Sequence, residues 1–256
     1  MNQLAIIEEV KGWVYEAGEK IKASFDEQLE IDTKSGRTDL VTDMDKATQD
    51  FLIEKIMAFD PSAKILGEEN GQDHLQDVSG HVFIIDPIDG TMNFVLEQEN
   101  FCIMLALYED GVSQLGFVYN VMKDEFLYGG KETGVFCNGK PVTPPVNKSL
   151  SEGLVGMNQV MFQRNDWHTQ EIGKIAMGVR MTGCAGYELI DLALGRRVAY
   201  ISRLAPWDYA PGGVLIEALG LTMSTIDGRA LGLEEREIFL AGTQKAYDEC
   251  LEIANS

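Results

Sequence analysis

The chain has 256 residues, 45% hydrophobic and 24% charged, enough for a sizeable core in one large domain or two small merged ones. Its 21 Lys and Arg against 41 Asp and Glu leave a formal net charge of −20, which argues against a sequence-independent grip on nucleic acid or anionic membrane. An anionic substrate would need a local reversal of sign, most simply from bound metal.

Residues 3–25 carry Leu4, Ile7, Val10, Val14, Ala17 and Ile21 at steps of three or four, which predicts an amphipathic helix. The period is lost over 30–40, read as a hairpin or mobile loop. A second helix is expected from Asp43 to Phe59, with Pro61 just beyond it. Lys64-Ile65-Leu66-Gly67 and Val82-Phe83-Ile84-Ile85 read as short buried strands, each running into acidic residues. Between Cys102 and Cys137, β-rich runs separated by turn signals suit an antiparallel meander, followed by a hairpin with Asn138-Gly139 at its turn. The stretch 143–152 is the best linker candidate, dividing an α+β half (1–142) from an α/β half (143–256) within one compact catalytic unit. Beyond it, strands at 153–158, 179–182, 198–202, 222–226 and 238–241 alternate with helices at 185–194, 209–219 and from about Gln244. The whole reads as layered helices and sheets.

The acidic N-terminus, Met1 to Val10, lacks a basic region, so no signal peptide is read. No apolar run approaches the ~18 residues of a membrane span. Cys102, Cys137, Cys184 and Cys250 form no CxxC pair; free thiols in the cytoplasm are expected, and a zinc site is disfavoured.

The strongest local signal is Ile84-Ile85-Asp86-Pro87-Ile88-Asp89-Gly90-Thr91, where an apolar strand feeds two carboxylates across a Pro turn into a helix start. Such a turn aims carboxylate and carbonyl oxygens at one point, which suits a hard divalent cation, and the helix start suits phosphate. A P-loop is absent, and the two acids stand three apart rather than two, which argues for metal-activated water over an Asp nucleophile. Three weaker signals are Glu68-Glu69, Asp208 in Pro206-Trp207-Asp208-Tyr209-Ala210-Pro211-Gly212, and Asp45 in Thr42-Asp43-Met44-Asp45. Taken alone, the first also suits a solvated turn and the other two suit helix caps.

Together these segments resemble the inositol monophosphatase family of lithium-sensitive, magnesium-dependent sugar phosphatases, in order and over nearly the whole chain. Val135-Phe136-Cys137-Asn138-Gly139 resembles the family's structural hairpin as well. The resemblance implies an αβαβα sandwich and two to three Mg²⁺ per active site. It assigns Glu68, Asp86, the Ile88 carbonyl, Asp89 and Asp208 to metal, and Asp45 and Thr91 to orienting and deprotonating the attacking water. Gly90 and Thr91 would face phosphate, Gly183, Cys184 and Ala185 the substrate alcohol, and a mobile loop with Lys34 would close nearby. A small-molecule phosphate monoester, a homodimer and lithium inhibition are implied with them.

Two departures bear on specificity. The family's inositol-selective members carry a Glu about seven residues before the Trp-Asp aspartate, whereas 192–207 here holds no acid. Ile201 and Ser202 stand near that place, and Arg196, Arg197 and Arg203 lie in the window. Asn93-Phe94-Val95 is followed by Leu96 instead of a polar residue. The expected activity is hydrolysis of small soluble monoesters, inositol monophosphate among them. The alternatives are an NADP(H) 2′-phosphate, a phosphoadenosine phosphate or a fructose bisphosphate as substrate. A regulatory or binding protein that keeps the fold is the rival from another class.

Overall fold

The computed structural model describes residues 2–25, 31–33, 40–69 and 71–256. The expected mobile loop falls mostly at 34–39, so Lys34 lies outside the described residues. Helix α1 (Gln3–Ser24) buries Ile7, Val10, Val14, Ala17 and Ile21 of the predicted stripe, whereas Leu4 in its first turn is exposed. Strands β1 (Ile31–Thr33) and β2 (Leu40–Thr42) pair antiparallel, so the hairpin expectation holds on the described part. Helix α2 (Asp43–Phe59) starts on a capping box between Thr42 and Asp45.

The first sheet has seven strands: β3 (Lys64–Gly67), β4 (His81–Asp89), β5 (Cys102–Glu109), β6 (Val112–Asn120), β7 (Glu125–Gly130), β8 (Gly134–Cys137) and β9 (Lys140–Pro141), side by side in that order. A short helix, α3 (Thr91–Glu97), lies between β4 and β5. The expected antiparallel sheet needs one correction: β3 and β4 run parallel, Gly67 opposite Ile85. That pairing lays the C-terminal ends of both strands, and the acids that follow them, along one edge.

The second sheet contains β10 (Leu154–Met157), β11 (Gly178–Arg180), β12 (Ala199–Leu204), β13 (Thr222–Thr225) and β14 (Glu237–Gly242) in the order β11-β10-β12-β14-β13. Helices α4 (Gln159–Arg164) and α5 (Thr169–Ile175) connect β10 to β11, and α8 (Gln244–Ala254) closes the chain. Between the sheets lie α6 (Ala185–Ala193) and α7 (Pro206–Ala218). The α7 start is three residues earlier than expected, because Pro206 opens the helix at a position that needs no amide hydrogen. The segment 143–152, read as a linker, packs against α8. Leu150 is fully buried, its amide donates to Glu249 at 2.8 Å, and Lys245 donates to Asn147 at 2.9 Å.

Three apolar layers result. Helices α1 and α2 cover one face of the first sheet through Ile7, Val10, Leu52, Phe83, Ile103 and Phe117. Its other face packs on α6 and α7, which also cover the second sheet, in a core containing Ile84, Met104, Leu189, Val214 and Phe239. Helices α4, α5 and α8 close the far face over Val155, Ile201 and Leu240. This is the five-layer sandwich that the resemblance implies. The strands between Cys102 and Tyr128 are covered on both sides by the chain's own helices. At the tightest crossing, Gly116 of β6 lets the Pro211 carbonyl of α7 sit where a side chain would begin.

Candidate active site

The parallel β3–β4 pair sets the site. The Glu68 amide donates to the Ile85 carbonyl at 3.3 Å, so Glu68 leaves β3 beside Asp86. Gln49 of α2 holds the turn, donating to the Glu69 carbonyl at 2.6 Å and accepting from its amide at 2.9 Å. Asp86 and Asp89 stand three apart, and a regular strand would turn them to opposite faces. A register shift prevents this: Asp86 pairs with Met104 and Asp89 with Cys102, three steps on β4 against two on β5. Both carboxylates therefore face the middle layer, while Ile88 between them points into the aromatic core under α1.

Asp45 serves two roles at once. Its Oδ2 accepts from the Thr42 amide at 2.8 Å and the Thr42 hydroxyl at 2.5 Å, so the capping role read from the sequence is real. Its Oδ1 accepts from the Thr91 hydroxyl at 3.0 Å, a contact no cap needs. The same hydroxyl lies 3.1 Å from the Ile88 carbonyl. Burial pushes the Asp45 carboxyl up, against the hydrogen bonds from Thr42 and Thr91.

Asp89 is fastened to the N-terminus of α6. Its Oδ1 accepts from the Ala185 amide at 3.2 Å, and its Oδ2 from the Gly186 amide at 2.5 Å and the Cys184 thiol at 3.0 Å. The segment expected to meet the substrate alcohol thus meets a predicted metal ligand first. Gly183, with φ 73°, makes the turn into it. Cys102 and Cys184, 82 residues apart, bring their sulfurs to 3.7 Å beside Asp89. Burial pushes both thiols up, so this cluster presents protonated sulfur rather than thiolate.

Asp208 comes from the far side, on the first turn of α7, where its Oδ2 accepts from the Ala205 amide at 2.7 Å. Arg236 approaches the same oxygen at 3.8 Å. Burial pushes the Asp208 carboxyl up, and the charges of Glu68 and Asp89 push it further. Asp89 is raised by burial too, with Glu68 adding to it. The Glu68 charge thus acts on Asp45, Asp89 and Asp208 alike, which is the electrostatic mark of acids aimed at one point.

A cleft of about 510 Å³ opens against Asp89, Asp208, Asn93, Gly183, Cys184 and Ala185. On β12 the alternation separates the two candidates for the absent acid. Ile201 is fully buried in the outer core, while Ser202 lines the cleft. Arg203 lines it as well, whereas Arg196 pairs with Glu125 at 2.7 Å and Arg197 is buried against Glu188 at 2.8 Å, both spent on structure. The sequence reading passed over Glu188, which also lines the cleft; burial pushes its carboxyl up against the pull of Arg197. Its spacing on a helix looked like any other surface acid.

The family model for the inositol monophosphatase family matches residues 3–256. An inositol-1-monophosphatase of Bacillus subtilis (strain 168) is 39% identical over 256 residues, spanning 98% of this chain and 97% of its own. A fructose-1,6-bisphosphatase/inositol-1-monophosphatase of Thermotoga maritima is 29% identical over 226 residues, 88% of this chain and 86% of its own. A crystal structure of an IMPase/NADP phosphatase complexed with Mg²⁺ and phosphate superposes with a TM-score of 0.92 and 27% identity, covering 100% of this chain and 97% of that one. No helix among the described residues is long and apolar enough to cross a membrane. With a family model matched over almost every residue and a near-full-length relative at 39% identity, this chain belongs to the inositol monophosphatase family of phosphate-monoester hydrolases.

Proposed function

We propose that the chain is a Mg²⁺-dependent phosphomonoesterase for small soluble phosphates, with residues 1–142 and 143–256 acting as one catalytic unit. The observation that carries this reading is the gathering of Asp45, Asp89 and Asp208, each raised by burial and each reached by the charge of Glu68. Such a cluster fits a hard cation: its donors are oxygens, and a counter-charge would relieve their repulsion. The neighbouring thiols are protonated and unsuited to Mg²⁺. Glu68, Asp86, the Ile88 carbonyl, Asp89 and Asp208 would hold two to three ions. Bound there, Mg²⁺ would neutralise the phosphate dianion and acidify the attacking water.

The chain's own residues do the rest. Thr91 holds its hydroxyl toward Asp45 and, on this reading, orients the water; Asp45, with its raised carboxyl, takes the proton. Gly90 and Thr91 would offer backbone amides to the phosphate. The N-terminus of α6 fixes Asp89, and the first turn of α7 fixes Asp208, so the geometry is set before substrate arrives. Ser202 in place of a carboxylate supports broad specificity, with inositol monophosphate turned over without strong preference. The homodimer and a cytoplasmic setting rest on the family resemblance and the free thiols.

The test is phosphate release from a panel of monoesters with Mg²⁺, with EDTA, and with added Li⁺ or Ca²⁺. Turnover in Mg²⁺, none in EDTA, and inhibition by both added ions are expected. Full activity in chelator refutes the metal. No turnover of any ester at micromolar enzyme favours the regulatory or binding protein.

A further inference from the structure

The arginines of this acidic chain differ in their partners, and Arg180 on β11 bonds only the Val179 carbonyl among the described residues. Arg196, Arg197 and Arg229 are each held by two acids. Arg164 and Arg203 have no acid partner within 4 Å among the described residues, and Arg236 reaches only Asp208, at 3.8 Å and half exposed. These last three line one cavity of about 390 Å³. It adjoins the catalytic cleft and shares Asn158, Val160 and Arg203 with it. The three come from different elements: the end of α4, the end of β12, and the residue before β14. The antiparallel pairing of β12 with β14 sets Arg203 opposite Ile238, which also lines the cavity. Trp167, 38% exposed, lines the wall, and Asp166 is the one acid among the lining residues.

Three guanidiniums brought together repel one another, and a chain with 41 acidic residues has acids to spare for pairing them, so arginines left without an acid around one cavity point to an anion from outside. Guanidinium groups present paired donors in a plane that matches phosphate oxygens. We infer that the cavity is a second anion subsite. It takes a further phosphoryl group carried on the alcohol that leaves, while Trp167 offers an apolar face to the ring that carries it. The inference rests on the phosphomonoesterase reading and deepens it: the preferred substrates are esters with two phosphoryl groups, one cleaved and one held. Arg203, on both walls, would read the connection between them.

The closing experiment compares two esters with the same scissile bond. Adenosine 2′,5′-bisphosphate differs from adenosine 2′-monophosphate only in the 5′-phosphate. Wild-type kcat/KM for the bisphosphate should exceed that for the monophosphate by about tenfold or more, mostly through KM, as expected for charge-assisted hydrogen bonds to a bound anion. Arg164→Gln and Arg203→Gln should each shrink that ratio, and Arg164→Lys should restore part of it. Inositol 1,4-bisphosphate against inositol 1-phosphate gives the same comparison without a base, and an advantage in both pairs supports an anion subsite that acts without stacking on Trp167. Equal kcat/KM for both adenosine esters, or a ratio that neither Gln variant moves, overturns the subsite. Absence of all turnover overturns the phosphatase reading instead. The subsite is then judged by calorimetric titration of the metal-free protein with inorganic pyrophosphate. Saturable binding weakened in Arg164→Gln supports it, and no binding refutes it.

Discussion

Gly116→Ala adds one methyl group far from any reacting atom and is expected to damage the site. The new Cβ would stand 2.2 Å from the Pro211 carbonyl oxygen, 3.1 Å from Val214 Cβ and 3.2 Å from Leu215 Cγ, all on α7. Relieving the first contact to ordinary packing distance needs roughly 1 Å of movement. The sheet has little freedom to give, since Gly116 is paired on both sides, to Ala106 and Gly129. Helix α7 must therefore move, and it carries Asp208 on its first turn. Overpacking of this kind costs about 1–3 kcal/mol. At roughly 2–4 °C per kcal/mol for a chain of this size class, the Tm should fall by about 2–12 °C. A 1 Å displacement of a positioning group can lower the rate by about 10²-fold. Differential scanning fluorimetry and phosphate release would be measured together, with Gly232→Ala as the control, because no atom lies within 4 Å of its Cβ position. A Gly116→Ala protein with wild-type Tm and kcat/KM would refute the argument. A lowered Tm with unchanged turnover would show that the strain stays in α7 and never reaches Asp208.

Asp45→Asn and Thr91→Ala should lower kcat by about 10²–10⁴-fold while Mg²⁺ still raises the Tm, whereas Asp86→Asn and Asp208→Asn should lose both; normal turnover by Asp45→Asn would leave it only its cap. The carboxyls of Asp45, Asp89 and Asp208 are raised by burial, so without metal the folded chain keeps protons that the unfolded chain has lost. Their contribution to metal-free stability is therefore present at about pH 4 and lost as pH rises through the raised values, while Mg²⁺ needs the ionised form. The Tm gain from Mg²⁺ over EDTA should accordingly grow from pH 5 to pH 8, and a gain that is constant or shrinks contradicts this. Ser202→Glu, not Ile201→Glu, should shift kcat/KM toward inositol 1-phosphate, because Ile201 would bury its new carboxylate in the outer core. Light scattering should report a homodimer, and a monomer across micromolar concentrations refutes it.

The local parts of the site were legible because each motif is a strand end or helix start with its acids adjacent in sequence. Asp86 and Asp89 announced themselves after a run as apolar as Val82 to Ile85. What adjacency cannot convey is relative placement. The parallel pairing of β3 with β4 brings Glu68 beside Asp86, and it depends on the path of thirteen connecting residues rather than on either strand's pattern. Cys102 and Cys184 meet only because α6 packs on β5. Arg196, Arg197 and Arg203 look alike in a window of sixteen residues, yet the acids Glu125, Glu188 and Asp191, distant or unremarked in sequence, hold two of them in structure and leave one at the cleft. Asp45 leaves room for the plain reading and the functional one together, since its two oxygens face different partners.

The one-residue register shift in β4 makes length a stricter constraint on this stretch than composition. Many apolar side chains would fill the place of Ile88 at modest cost, whereas deleting it takes away the shift itself. Asp86 and Asp89 would then be alternate residues of a regular strand and still share a face, but the core around Phe94 and Phe101 would lose the Ile88 side chain, and the Thr91 hydroxyl its Ile88 carbonyl. Point changes at Ile88 should therefore be recoverable by repacking, and its deletion should not. A library of both kinds at this position, scored for folded protein, would separate them, because losing a whole buried Ile side chain costs about 2–5 kcal/mol where a methyl group costs about one.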